Sequence, residues 1–241
     1  EITMSRSHGW KNVTYASYDD LPKNVQSYDN EIWAQKQIDR LKNIEKELDT
    51  IKDRNSLLVE YINQYSKNNI SILDYGGGIG LSYFSLLPHT DKTIDYSIVE
   101  LPSICDAGKN ANVPIKFYQN IPKKKFDIVY IRTALQYTKD WKKTLRDLTR
   151  CNPKYIILSH LSAGNIPTYL TLQIWGDYLL PYWFINIDEL NSHIENNDYK
   201  NSLIYNSYKM KQDFGWKTYK YFPDDLRLEN LLDIVYTENK K

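Results

Sequence analysis

The 241 residues leave room for one α/β domain with an elaboration, and not comfortably for two ordinary domains. With 31 basic and 30 acidic residues, a formal net charge of +1, the chain raises no global field that would recruit nucleic acid or an anionic membrane, so a small-molecule partner is expected. The two cysteines, Cys105 and Cys151, lack C-x-x-C spacing, which speaks against a disulfide framework and fits a reducing cytoplasm; no apolar run is long enough to cross a bilayer. No cleavable signal is visible, and Glu1 in place of an initiating methionine leaves open a leader or upstream segment.

Residues 1 to about 30 carry no sustained period and read as an arm, with turn signals at Asp19-Asp20 and Leu21-Pro22. From about Glu31 to Lys67, Ile38, Leu41, Ile44, Leu48, Ile51, Leu58 and Ile62 recur at helical spacing between charged residues. This predicts one or two amphipathic helices; the repeat is too short for a coiled coil, and a cap over the mouth of the following domain is the better expectation. Strands are predicted at 70–75, 93–100, 115–118, 126–131 and 155–159, with helices after most of them, the clearest at 141–150. Short apolar strands separated by helices mean a parallel sheet covered on both faces.

Tyr169, Trp175, Tyr178, Tyr182, Trp183 and Phe184 then crowd into one segment of a chain holding 21 tyrosines and 6 tryptophans. The segment reads either as a lid or wall over a substrate or as a self-association surface, which would make a homodimer. Beyond it a helix is predicted at 187–196 and strands at 202–208 and 231–236. The division expected is an arm and helical cap over residues 1–68 and a core over 69–241 carrying an aromatic lid at 161–186, together one compact unit.

The most informative stretch is Asp74-Tyr75-Gly76-Gly77-Gly78-Ile79-Gly80, followed about twenty residues later by a strand ending in Glu100. Strand, glycine turn, helix, then an acid at the tip of the second strand is a pattern that holds nucleosides: the glycines permit close backbone approach, and the carboxylate accepts both ribose hydroxyls. A dinucleotide fingerprint would place its third glycine where Leu81 stands. The glycines fall instead at 76, 78 and 80, and Asp74 beside the turn would repel a pyrophosphate while suiting a cofactor with a cationic amino-acid end.

This D-x-G-x-G-x-G arrangement resembles motif I of the class I S-adenosylmethionine-dependent methyltransferases. The resemblance implies a Rossmann-like, doubly wound, mostly parallel seven-stranded sheet with a C-terminal antiparallel hairpin, here preceded by the helical cap. Ligands in such sheets sit at the carboxyl ends of the strands. Asp74, Tyr75, Gly76, Gly77 and Gly78 would lie against the cofactor's amino-acid portion, Glu100 would hold the ribose, and Leu101 would cover an adenine face. Gln119, Asn120 and Ile121 would meet the adenine edge, although the two amides could be ordinary turn formers. The stretch from Arg132 through Thr133, Ala134, Leu135 and Gln136 to Tyr137 corresponds to the loop that in the family lines the methyl-transfer channel. Arg132 could pair with Asp74 or Glu100, bind a substrate anion, or hold the cofactor carboxylate.

Gly9-Trp10, Tyr15-Ala16-Ser17-Tyr18, Ser27-Tyr28-Asp29 and Val99-Glu100-Leu101-Pro102 further resemble a bacterial family of methyltransferases found among surface-polysaccharide biosynthesis genes. That resemblance implies methylation of an oxygen or nitrogen on a sugar or phosphoramidate-type group in capsule assembly. The family often has arginine and proline after the fifth strand; this chain has Ser159-His160-Leu161 there. His160, at a strand end facing the same cleft, is the candidate base or substrate ligand, Arg132 or His160 would anchor an anionic acceptor, and Tyr169, Gln173 and Trp175 are the candidates for holding the acceptor. His8, His89 and His193 sit apart without ligand spacing, so no metal site is expected. Two rivals stand: a nicotinamide-dependent oxidoreductase, opposed by the glycine register, and a non-catalytic assembly partner that keeps the cofactor fold.

Overall fold

The structure, a computed structural model, describes residues 8–51, 55–209 and 222–239. The predicted arm over residues 1–7 and the joint at 52–54 within the predicted helical stretch lie outside the described residues. In chain order the elements are β1 (His8–Trp10), α1 (Glu31–Lys42), α2 (Ile44–Ile51), α3 (Ser56–Asn63), β2 (Asn69–Tyr75), α4 (Leu81–Leu86), β3 (Thr93–Val99), α5 (Pro102–Asn110) and β4 (Lys116–Tyr118). They continue as β5 (Ile128–Arg132), α6 (Trp141–Thr149), β6 (Tyr155–Leu161), β7 (Ala163–Gly164), β8 (Tyr169–Trp175), β9 (Tyr178–Asn186), α7 (Ile187–Glu195), β10 (Tyr199–Lys209) and β11 (Asn230–Glu238).

Seven strands form one sheet in the order β10-β11-β6-β5-β2-β3-β4. The pairs β4–β3, β3–β2, β2–β5 and β5–β6 are parallel, and β11 runs antiparallel to both β6 and β10. The parallel part of this sheet is what the alternation of short apolar strands and helices predicted, and its doubly wound order with a C-terminal antiparallel hairpin is what the resemblance implied. One face packs α3 and α4, through Leu57, Leu58, Ile62 and Leu86, on Ile70, Ile72, Ile98 and Ile157. The other packs α6 and α7, through Leu145, Leu148, Leu190 and Ile194, on Leu73, Val129, Ile156 and Leu158. Each such side chain taken fully out of water contributes about 1.5–3 kcal/mol. Asp127, at the start of β5, accepts hydrogen bonds at Oδ2 from the Ser71 N–H and hydroxyl, both 2.9 Å, and so ties two strands rather than facing a ligand.

Three parts differ from the sequence expectation. The predicted helical stretch is three helices, because Asn43 ends α1 and α3 starts separately after Asn55, whose side chain bonds to Ser85 and Tyr130. Only α1 and α2 form a cap: Ile38, Leu41, Ile44 and Leu48 pack on Ile79, Leu81 and Ala107 beside the glycine turn, whereas α3 belongs to the sheet face. The arm, which shows no periodicity, contains β1, a strand too short to produce one. The aromatic segment is an antiparallel hairpin, β8–β9, in a second sheet of order β1-β8-β9-β7. Backbone bonds stitch the arm along it: the Tyr15 and Leu170 N–H groups each donate to the other's carbonyl at 2.7 and 3.0 Å, and Gln26 N–H donates to Leu179 O at 2.9 Å.

Candidate active site

The turn after β2 is closed by a Gly76 N–H bond to Val99 O of 2.9 Å. Gly76 and Gly78 have φ of +73° and +59°, the left-handed region that side chains disfavour. A Cβ on Gly76 would strike the Ala134 side chain, and one on Gly78 would stand 2.8 Å from Gln37 Oε1, a buried residue of α1. The turn is therefore a cradle that only a bare backbone fills, with the helical cap resting on it. Beneath lies Asp74, 1 % exposed, whose Oδ2 accepts from the Tyr96 hydroxyl at 2.7 Å while Oδ1 is buried without a protein hydrogen bond. Burial pushes its carboxyl up to about 7, against the lowering effect of the Tyr96 bond.

Glu100, immediately after β3, accepts from Gly78 N–H at Oε1 (2.9 Å) and from Leu101 N–H at Oε2 (2.8 Å). Its carboxyl is also raised by burial, those two amides opposing. Each oxygen has a lone pair left, so the pinned carboxylate can still take two hydroxyls from one ligand. Gln119 follows β4 at the same level, beside Asn120 and Ile121, which line an adjoining pocket of about 700 Å³.

The third wall is built from strained backbone. Thr133 (φ +50°) and His160 (φ +53°) leave the ends of the adjacent strands β5 and β6 in the left-handed conformation, costly for any side chain and most of all for a β-branched one. Thr133 N–H donates to Ser159 O at 3.0 Å. Asp233 on β11 holds the other bend: its Oδ1 accepts from His160 N–H (2.7 Å) and the Ser159 hydroxyl (3.0 Å), its Oδ2 from the Tyr205 hydroxyl (3.0 Å). Gln136 Nε2 donates to His160 O at 3.0 Å. The imidazole thus fixed lies with its two nitrogens 3.3 and 3.4 Å from Arg132 Nη2.

These walls enclose a cavity of about 1500 Å³. Of the residues singled out from sequence, Tyr75, Gly76, Glu100, Leu101, Gln119, Arg132, Thr133, Ala134 and Tyr137 line it. Asp74 lies beneath the turn, and Gly77 and Gly78 belong to the turn without lining the cavity; a Cβ on Gly77 would meet the Asp74 carboxylate. Leu135 is buried in the core, and His160 stands behind Arg132 rather than on the surface of the cavity. The three acceptor candidates are not brought together on the wall. Gln173 accepts from the Tyr137 hydroxyl at 2.7 Å, and Trp175 packs edge-on against Trp33 with ring centroids 5.6 Å apart. Tyr169 lies in the core of the second sheet, stacked on Phe184 and donating to Leu226 O at 2.8 Å.

The roof comes from Tyr18 and Tyr28 of the arm, Trp33 of α1, and Leu180, Pro181 and Trp183 of β9. The three β9 residues fall in the aromatic segment expected as a lid or wall or as a self-association surface; Trp33 carries no local signal, and in the arm the signal is the placement of aromatics beside turn residues. Burial pushes the Tyr18 and Tyr28 hydroxyls up to about 12, so neither is a base near neutrality. Among the described residues no group of three His, Cys, Asp or Glu side chains is arranged for a metal ion, and no helix is long and apolar enough to cross a membrane.

Solved structures share this architecture. One is a chain of the complex between the Haloferax volcanii Trm112 methyltransferase activator and a methyltransferase: 12 % identity, 88 % of this chain and 97 % of that one, TM-score 0.58. Another is the Burkholderia thailandensis 1,6-didemethyltoxoflavin-N1-methyltransferase, with 1,6-didemethyltoxoflavin and S-adenosylhomocysteine bound: 13 % identity, 100 % and 98 % coverage, TM-score 0.53. A third is an S-adenosylmethionine-dependent methyltransferase from Clostridium acetobutylicum: 10 % identity, 87 % and 100 % coverage, TM-score 0.53. At these identities the likeness establishes the fold. No curated protein sequence matches. Residues 40–202, more than half of the chain and running from the end of α1 into β10, match the methyltransferase domain family, and the protein belongs to that family.

Proposed function

We propose that the protein is an S-adenosylmethionine-dependent methyltransferase acting on an oxygen or nitrogen of a small acceptor. The observation that carries this reading is Glu100, held by the Gly78 and Leu101 amides at the edge of the cavity with two lone pairs free, next to a turn that only glycines can form. Glu100 would hold the ribose, the backbone at Tyr75 and Gly76 the amino-acid end, and Gln119 the adenine edge. Bound there, the cofactor supplies a methyl group already activated on a sulfonium. The chain's own task is to align the acceptor and keep water out, and the roof of Tyr18, Tyr28, Trp33 and Trp183 supports both. At about 1500 Å³ the cavity exceeds the 300–1,000 Å³ usual for a single small ligand, which supports a second molecule beside the cofactor and an enzyme over an assembly partner.

His160 acts on the reaction through Arg132, which stands between it and the cavity, and is a positioning residue in this reading. The resemblance to the polysaccharide-associated family supports a sugar or phosphoramidate-type acceptor in capsule assembly, and two buried free cysteines suit a cytoplasmic setting. Calorimetric titration with S-adenosylhomocysteine tests the assignment. Micromolar binding that falls about a hundredfold in Glu100→Ala is expected, since a charge-assisted pair of hydrogen bonds contributes about 1.5–3 kcal/mol. Binding of NADH instead would return the oxidoreductase reading.

A further inference from the structure

We propose that Arg132, backed by His160, is an oxyanion receptor in the cavity floor, made for a carboxylate or phosphate-type group on a molecule bound there; this rests on the reading of the cavity as a cofactor and acceptor site. Arg132 ends β5 opposite Ser159, one strand over from the glycine turn, and its guanidinium lines the cavity. Other cations on the wall are neutralised or in solvent: Lys142 pairs with Glu189, Lys143 with Asp147 at 2.5 Å, and Lys139 is exposed. Arg132 is half-buried, and among the described residues no carboxylate lies within ion-pair distance of it; both oxygens of Glu100 and Oδ2 of Asp74 are bonded elsewhere.

Its Nε is buried and has no hydrogen-bond partner, and its Nη2 meets only the two ring nitrogens of His160 at 3.3 and 3.4 Å, long for a good hydrogen bond. A guanidinium offers five N–H donors in a planar fork matched to two oxygens of one acid group, and an unsatisfied buried donor is costly to keep. The protein nonetheless holds the fork in place by strained backbone at both neighbours, Thr133 and His160, the second anchored through Asp233. The Asp74 carboxyl is near enough to feel the charge of Arg132 but makes no ion pair with it, so a cation held at such expense on the wall of a cavity is arranged for an anion that arrives with a ligand. The oxyanion has two sources, the cofactor's own carboxylate or an acid group on the acceptor.

Three titrants separate the sources, each followed by calorimetry on wild type, Arg132→Gln and Arg132→Lys. They are S-adenosylhomocysteine, 5′-methylthioadenosine, which lacks the amino-acid end, and inorganic phosphate added to protein saturated with S-adenosylhomocysteine. If the receptor takes the cofactor carboxylate, Arg132→Gln weakens S-adenosylhomocysteine at least about tenfold and leaves 5′-methylthioadenosine within about twofold. If it takes the acceptor's acid group, both nucleosides bind unchanged and the phosphate bound by wild type is lost in Arg132→Gln. Arg132→Lys, which keeps the charge without the fork, falls between. Equal weakening of both nucleosides, or no change in any titration, overturns the proposal. If Arg132→Gln does not fold, an Arg132→Lys protein indistinguishable from wild type with all three titrants overturns it equally. Should wild type bind neither nucleoside, the methyltransferase assignment fails by itself, and phosphate titration of the free proteins still decides on Arg132.

Discussion

On the side of β2 and β3, the cavity wall is drawn from one short stretch: residues 74–101 supply the turn, the buried acid beneath it and the acid that lines the cavity, and the contacts they offer are mostly backbone amides. On the side of β5 and β6 the wall is gathered from an arm, a helix and a hairpin; Gln26 and Leu179, which join two of these parts, are 153 residues apart in the chain. The first side uses unstrained glycines and close hydrogen bonds. The second uses aromatic rings and two non-glycine residues in left-handed backbone. The difference suits a site in which one ligand is common to many relatives and the other is not: a local motif keeps its geometry as the rest of the chain varies, whereas a composite wall can change with any of its parts.

Breaking the first side has the largest expected effect. Gly78→Val forces a β-branched residue into φ +59° and drives its side chain toward Gln37 of the cap. A cost of about 3 kcal/mol, or more than a hundredfold in affinity for S-adenosylhomocysteine, is expected by calorimetry. Next comes the buried acid. Asp74 is raised from 3.8 to about 7, so the native state binds its proton more tightly than the unfolded chain does. The associated stability is fully present below about pH 4 and is lost as pH rises through about 7. Urea unfolding between pH 5 and pH 8 should show wild type losing a few kcal/mol relative to Asp74→Asn. Parallel pH profiles for the two proteins would mean that the carboxyl is ionised throughout.

On the second side, His160→Ala releases Arg132 and is expected to lower turnover about ten- to a hundredfold; S-adenosylhomocysteine affinity stays within about twofold if Arg132 receives the acceptor's acid group and falls with that of Arg132→Gln if it receives the cofactor carboxylate. Normal turnover would remove His160 from the reaction. The smallest effect tests the strain itself: Thr133→Gly relieves a left-handed β-branched residue, worth about 1–2 kcal/mol, and loses about 0.5–1 kcal/mol to chain entropy. Unchanged or slightly raised thermal stability with reduced activity is expected; a clear loss of stability would show the bend to be unstrained.

What could be read from sequence follows the same division. Strand after strand of Ile, Leu and Val bounded by turn residues made the parallel sheet legible, and the spacing of Asp74, Gly76, Gly78 and Glu100 located the glycine side, since each of those features is local in the chain. The second sheet was not legible. β1 has three residues and β7 two, too few for any period, and β8 and β9 have runs of buried residues in place of the alternation that marks a one-faced strand. Tyr169 stands out as an acceptor contact by its place in the aromatic segment, yet aromatic residues in this hairpin divide between a core and a cavity, and only the sheet decides which. Left-handed backbone at Thr133 and His160 leaves no trace in residue type at all, and arises from how two neighbouring strands end.

The arm that roofs the cavity lies along the hairpin as an edge, held by β1 on β8, the Lys11 N–H on Leu172 O, the Thr171 hydroxyl on Lys11 O and Val13 O, the paired bonds of Tyr15 and Leu170, and those of Gln26 and Leu179. An edge paired on one side can open locally, below the free energy of global unfolding. Peeling of that edge would open the cavity with no need for two bodies to swing apart. Amide exchange at Tyr15 and Gln26 is the gauge of that opening, and a ligand touching both the glycine turn and the roof would slow it, whereas one seated on the glycine side alone would leave those two amides as fast as before.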